Sequence, residues 1–172
     1  MLPPINLKKW IDDHRHLLKP PVGNQVVYKD TDFIIMIVGG PNARKDFHFN
    51  RGEEFFYQIE GDMQLPIREN GKTRVVDIRE GEIFLLPPEV EHSPQRFKNT
   101  VGLVIERVRA EEELDACTWY CENCDEQLYR AEFHCDDIVG QLLALLQSFY
   151  DDIALRTCQH CGNIMEKPKL KA

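Results

Sequence analysis

His48-Phe-Asn-Arg-Gly-Glu-Glu54, followed by Gly61, and Gly81-Glu-Ile-Phe-Leu-Leu-Pro87, followed by His92, place two imidazoles and a carboxylate on separate β-type segments. Two nitrogen donors and one oxygen donor suit a redox-active non-haem iron whose other coordination positions stay open. An oxygen-using metalloenzyme is therefore the first expectation, with His48, Glu54 and His92 as ligands and Glu53 as a rival carboxylate. A single histidine in a strand is more often a core or surface residue than a ligand. His14 and His16, which belong to no comparable pattern, are read as ordinary helix-face residues.

A second donor set lies near the C-terminus. Cys121-Glu-Asn-Cys124 and Cys158-Gln-His-Cys161 are two Cys-x-x-Cys units separated by a helix-length spacer. Four thiolates close a tetrahedral shell around iron or zinc and leave no place for a substrate, so a structural or electron-carrying site is expected. A redox-active dithiol is the rival reading, but two such units suit coordination better than one does. Cys117 and Cys135 are read as free thiols, and His134 and His160 as neighbours of the site.

Positioning these groups requires many short strands. Residues 5–18 carry Leu7, Trp10, Ile11, Leu17 and Leu18 at helical spacing behind Asn6 as a cap, with a stop at Pro20-Pro21. β-rich runs follow at 25–29, 33–38, 55–60, 63–68, 74–78, 83–86 and 102–109, with Asn70-Gly71 as a hairpin turn. Such spacing predicts a sandwich or barrel. The acidic run Glu111-Glu-Glu-Leu-Asp115 reads as a solvated connection, giving a catalytic domain over 1–110 and a C-terminal extension over 111–172. Within the extension, residues 136–155 predict one apolar-striped helix between the cysteine pairs, before a Pro- and Lys-rich tail.

Composition removes several function classes. With 172 residues, 42% of them hydrophobic, the chain can bury one main core and a small appendage. A formal net charge of −8 opposes general nucleic-acid binding, and few Lys or Arg flank the cysteine pairs to support a zinc-ribbon module for nucleic acid. No apolar run approaches the ~18 residues of a membrane span, and the N-terminus lacks signal-peptide character. A cytoplasmic protein with small-molecule partners, no nucleic acid and no membrane is expected. All six cysteines fall between Cys117 and Cys161, a clustering that favours metal over disulfide staples.

The intervals from Glu54 to Gly61, Gly81 to Pro87 and Pro87 to His92 resemble the two motifs of the cupins, a jelly-roll β-barrel superfamily. That spacing favours Glu54 over Glu53, while Asn50 stands where many cupins have another histidine, which leaves three protein ligands. The resemblance then narrows. Lys19-Pro-Pro-Val-Gly-Asn24, Met36-Ile-Val-Gly-Gly-Pro-Asn42, Asp46-Phe-His-Phe-Asn50, Glu54-Phe-Phe-Tyr-Gln58, His92-Ser-Pro-Gln-Arg-Phe97 and Val101-Gly-Leu-Val-Ile-Glu-Arg107 are similar to the 3-hydroxyanthranilate 3,4-dioxygenase family.

This resemblance implies a mainly β cupin fold with an N-terminal helix and a small helix-containing subdomain around a four-cysteine metal site. It implies Fe2+-dependent cleavage of 3-hydroxyanthranilate by O2 to 2-amino-3-carboxymuconate semialdehyde, on the kynurenine route from tryptophan to quinolinate and NAD. It also implies a homodimer and a rubredoxin-like site at Cys121, Cys124, Cys158 and Cys161. Asn24, Arg44, Arg96 and Glu106 become substrate-binding positions, with Arg44 near O2 and Glu106 as the catalytic proton shuttle. Arginine can grip a carboxylate through paired hydrogen bonds, although either arginine could equally be an ordinary ion-pair partner. Glu106, in the apolar run 103–106, needs a partner or a task; its structural alternative is a salt bridge to Arg44, Arg96 or Arg107. A non-enzymatic cupin that senses a metal or an aromatic acid is the competing class, and an isomerase or thiol dioxygenase is a third reading.

Overall fold

Apolar and polar residues alternate through the middle of the chain, and the computed structural model, which describes residues 2–20, 23–28 and 31–169, pairs these segments as antiparallel strands. Helix α1 (Leu7–His14) begins at Asn6, whose side chain accepts from the Lys9 amide at 2.9 Å, and a 3-10 turn at Arg15–Leu17 ends it. Pro21 and Lys29, where the helix stop and the first strand's end are expected, lie outside the described residues, as do the last three residues of the tail.

Strands β1 (Asn24–Val26), β2 (Phe33–Gly39), β9 (Val101–Arg107), β4 (Glu54–Glu60) and β7 (Ile83–Leu86) form one sheet in that spatial order. The opposing layer comes in two pieces. One is β11 (Gln127–Phe133), β10 (Asp115–Tyr120) and β3 (Asp46–Phe49); the other is β6 (Lys72–Ile78), β5 (Met63–Glu69) and β8 (Gln95–Arg96). His92 joins them, bridging to His48 on one side and Ile67 on the other. The residue expected to bind metal thus also stitches the second layer together.

Met36, Val38, Phe56 and Val104 from the first sheet meet Met63, Leu65, Ile67 and Ile78 from the second, closing a core between two antiparallel layers. Full burial of each large side chain contributes roughly 1.5–3 kcal/mol. Strand alternation turns Ile37 and Leu103 to the outer face, where α1 packs through Ile11. Asn70-Gly71 makes the expected hairpin between β5 and β6. Gly61 and Gly81 sit at φ +64° and +85°, conformations that a Cβ disfavours, so the glycines of both motifs are the turns that end β4 and precede β7.

Four strands lie outside the expected set: β3, β8, β10 and β11. The acidic run is solvated as expected at Glu111, Glu112 and Leu114, and only its last residue, Asp115, enters the interior. Asp115 is 1% exposed, and β10 pairs with β3 in the register Cys117↔His48, so strands from either side of position 110 share a sheet. The single C-terminal helix expected is two, α2 (Ile138–Asp151) and α3 (Ile153–Arg156), because Asp152 turns its side chain to the Ala154 amide and caps a new helix. Leu142, Phe149 and Tyr150 of α2 pack around Trp119 and Met165 as a second core, while Leu143 and Ile153 remain exposed.

Candidate metal centre and substrate cavity

His48 on β3, Glu54 at the start of β4, and His92 are each buried, and their ligand-capable atoms lie within 4.8 Å of one another. Glu53 is exposed. His92 Nδ1 stands 2.9 Å from the Val90 carbonyl, an acceptor, so Nδ1 carries the proton and the lone pair falls on Nε2. That Nε2 faces Glu54 Oε2 at 2.9 Å. A lone pair and a carboxylate repel at this separation unless a proton or metal cation lies between them, so the residues fit a cation. Burial would raise the Glu54 carboxyl, but the charge and hydrogen bond of His92, itself raised by Glu54, outweigh it and hold the group down to about 2. Burial keeps His48 below its usual range and neutral, against the pull of Asp115, and a neutral imidazole is the form that binds metal.

Behind this trio runs a buried chain of charges. Asp115 Oδ2 lies 2.8 Å from His48 Nε2, and Arg109 donates to both Asp115 oxygens at 2.9 and 2.6 Å. Arg109 Nη2 is also 2.8 Å from Glu106 Oε2. Arg109 is therefore the partner of Glu106, which corrects the expected choice among Arg44, Arg96 and Arg107; β9 ends at Arg107 and the chain turns back, and Arg107 itself pairs with Glu113. Glu106 is directly opposite Glu54 in the sheet register, with Asn50 Nδ2 3.3 Å from Glu54 Oε2 and 3.5 Å from Glu106 Oε2. Burial and the neighbouring Glu54 raise the Glu106 carboxyl to about 7, and its Oε1 is buried with no hydrogen-bond partner among the described residues.

A cavity of about 700 Å³ opens beside the trio. Asn24, Arg44 and Arg96 line it together with His48, Glu54 and His92; Glu106 does not reach its wall. Met36, Val38, Phe56 and Val104 supply apolar surface, and Leu142, Leu146 and Tyr150 of α2 supply the opposite side. The two arginines differ. Arg44 is clamped by Asp46 through Nε at 3.1 Å and Nη2 at 2.5 Å, which keeps it charged although buried. Arg96 is 2% exposed, donates to the neutral Gln58 at 3.1 Å, and has no carboxylate at ion-pair distance among the described residues. Burial lowers it to about 10, against the distant Glu54. A buried cation without a counterion is costly, and an anion in the cavity would offset that cost.

Asp46, Gln58, Arg109 and Asp115 are functional neighbours that the sequence reading does not single out. Strand parity holds a signal for two of them: Asp46 stands two residues from His48, and Gln58 four from Glu54, each on its ligand's face of the strand.

The four cysteines also meet. Cys121 and Cys161 Sγ are 3.6 Å apart, as are Cys124 and Cys158, close to the ~3.8 Å edge of a tetrahedron with metal–sulfur bonds of about 2.3 Å. Tight turns place them, with Asp125 N bonded to Cys121 O and Gly162 N to Cys158 O, each at 2.9 Å. Asn123 and the Asn163 backbone lower the Cys161 thiol to about 6. Cys117 and Cys135 stand apart, their thiols pushed up by burial. His134 bonds the Glu113 carbonyl at 2.9 Å.

Known proteins resemble this chain over most of its length. The model of the 3-hydroxyanthranilic acid dioxygenase family matches residues 1–150. The chain is 52% identical over 169 residues to 3-hydroxyanthranilate 3,4-dioxygenase of Xanthomonas oryzae pv. oryzae, covering 98% of this chain and 96% of that one. It is 49% identical over 159 residues to the Neurospora crassa protein of the same name, covering 92% and 88%. Among solved structures it is similar to a protein of Neisseria meningitidis at 23% identity and TM-score 0.49, over 61% of this chain and 99% of that one. A cupin-2 domain protein of Shewanella frigidimarina gives 21% identity and TM-score 0.46, over 58% and 92%.

Proposed function

The chain belongs to the 3-hydroxyanthranilic acid dioxygenase family, and from that premise we propose that it opens the ring of 3-hydroxyanthranilate with O2, yielding 2-amino-3-carboxymuconate semialdehyde, on Fe2+ held by His48, Glu54 and His92. One observation carries the reading: the buried guanidinium of Arg96, with no carboxylate partner among the described residues, shares a cavity with a cation-competent His-Glu-His cluster. An aromatic acid fits both features, its carboxylate at Arg96 and its hydroxyl and amino edge toward the cluster. Ferrous iron, when bound, supplies the one-electron chemistry that lets O2 react with a closed-shell ring.

The chain's own groups do the rest. Arg96 receives the substrate carboxylate through paired hydrogen bonds, held in place by Gln58. Arg44, clamped by Asp46, faces the same cavity with charge to spare for developing negative charge on the oxygen side, and Asn24 contributes a polar edge. Met36, Phe56, Val104 and Leu146 exclude water and bury the ring. Glu106, poised near neutrality with an idle Oε1 but set back from the cavity wall opposite Glu54, takes up the hydroxyl proton by relay and not by direct contact with the substrate.

The four thiolates form a closed structural site for iron or zinc, and the cytoplasm is the compartment that keeps such thiols reduced. We place the product on the kynurenine route to quinolinate and NAD. We also assign a homodimer, for which the outer face of the five-stranded sheet offers Ile83, Leu85 and Phe33, each more than half exposed. Anaerobic reconstitution with Fe2+, addition of 3-hydroxyanthranilate and then air tests the activity. Ring absorbance should give way to product absorbance with oxygen uptake; tight binding without oxygen consumption would leave a sensor instead.

A further inference from the structure

We infer that Asp115 is the positioning residue of His48 and that Arg109 fixes Asp115 in turn, so that the C-terminal part of the chain builds the catalytic centre from behind. The inference rests on the reading of His48, Glu54 and His92 as the iron ligands. Asp115 lies on β10 two residues before Cys117, the register partner of His48, which sets the carboxylate diagonally across on the same face. Its Oδ2 meets His48 Nε2 at 2.8 Å. A carboxylate only accepts, so the His48 proton resides on Nε2 and the lone pair is left on the other ring nitrogen. Without such a partner an imidazole divides its proton between two nitrogens and turns about its Cβ–Cγ bond; this contact removes both freedoms.

Arg109 makes the arrangement rigid. Its Nε and Nη2 bind Asp115 at 2.9 and 2.6 Å, while Nη2 also lies 2.8 Å from Glu106 Oε2. One guanidinium therefore spaces two buried carboxylates, one behind His48 and the other opposite Glu54. Neither Asp115 nor Arg109 lines the large cavity, so their effect must pass through the residues they hold.

Metal-free full-length protein titrated with Co2+ tests this. The d–d spectrum of a nitrogen- and oxygen-bound ion is separable from the charge-transfer bands of the thiolate site. Asp115→Ala should weaken the His/Glu site 10–100-fold and leave the thiolate site's affinity unchanged. Asp115→Asn keeps the shape and a neutral acceptor, and its affinity should fall between wild type and Asp115→Ala. Histidine ¹⁵N NMR should show one Nε2–H tautomer for His48 in the wild type and a mixture in the variants. Wild-type affinity and an unchanged tautomer in the variants overturn the inference alone. If Asp115→Ala does not fold, the isosteric Asn variant decides by the same two readouts. Wild-type affinity in His48→Ala overturns the ligand assignment, and the inference falls with it.

Discussion

Among the described residues, two clusters able to hold a metal are built by opposite means. The cysteine cluster comes from two local turns, uses four like donors and closes on itself. The His48-Glu54-His92 cluster is gathered from separate strands, mixes neutral and anionic donors, and has one side on a cavity of about 700 Å³. A closed, uniform shell anchors chain; an incomplete, mixed one leaves room for reactants. Substitutions should therefore fail differently on the two sides. The largest effect is expected from His92→Ala: loss of one metal per chain by elemental analysis and at least ~10³-fold lower turnover, with the second metal retained. His92 also bridges β3 to β5, so circular dichroism must confirm the fold. Turnover above a tenth of wild type would remove the cluster from the chemistry.

Arg96→Ala sharpens the comparison on the substrate side. Truncating one partner of a buried charge pair costs about 2–4 kcal/mol, which corresponds to a KM increase of roughly 30–1,000-fold. Metal content should not change. Arg44→Ala makes a useful contrast, because it would strand the fully buried Asp46 and should lower stability as well. Equal KM effects without any loss of stability in Arg44→Ala would contradict the division of labour between the arginines.

How far the sequence reveals all this follows the same local-versus-distant divide. Asn6, Asn70-Gly71 and the Cys-x-x-Cys units act within a few residues, and each is visible without the fold. His48, Glu54 and His92 are legible because glycines and a proline mark the turns around their strands. Asp115 is not: it ends an acidic run that looks solvated, and only pairing of β10 with β3, far back in the chain, puts it inside. Arg109 is hidden for a related reason. In a continuing strand it would point away from Glu106, and the end of β9 brings it back. The break at Asp152 is a local cap that the apolar stripe of the helix obscures.

Glu106 offers a test by pH. Its carboxyl is raised to about 7 by burial and Glu54, so it is ionised and able to take a proton only as pH passes that value. Iron on Glu54 would offset part of that push, so turnover should rise with pH at or below 7, and Glu106→Gln should flatten this limb and lose about 10²-fold at its plateau. Stability should move the other way. Between the ordinary carboxylate range and 7 the folded carboxyl holds a proton that the unfolded one has released, so this group's contribution declines as pH rises through that window. Urea titrations of metal-free protein should show the decline in wild type and not in Glu106→Gln.

A smaller effect isolates geometry from charge. A Cβ at Gly102 would stand 2.5 Å from Arg96 Nη1 and 2.8 Å from Gln58 Oε1, so glycine there is what allows the Arg96–Gln58 pair to lie across β9. Gly102→Ala keeps every charge yet displaces the guanidinium, and KM should rise about tenfold, near 1.4 kcal/mol. An unchanged KM would mean that Arg96 can shift without leaving its substrate, and that the Gln58 contact does not set its aim.

Cys124→Ser with Cys158→Ser should have the smallest effect on turnover and the clearest effect on stability. Losing a resident ion removes about 4 kcal/mol at a thousandfold excess over its dissociation constant, which lowers Tm by roughly 8–16 °C in a chain of this size. Turnover should stay within a few-fold of wild type at temperatures below the transition, since Trp119, Phe149 and Met165 still pack α2 against β10. KM should carry whatever change there is, because Leu142, Leu146 and Tyr150 of α2 form one side of the cavity. A collapse of turnover matching His92→Ala, with the His/Glu metal retained, would mean that the cysteine cluster takes part in the reaction, and the contrast between anchor and reaction centre would not hold.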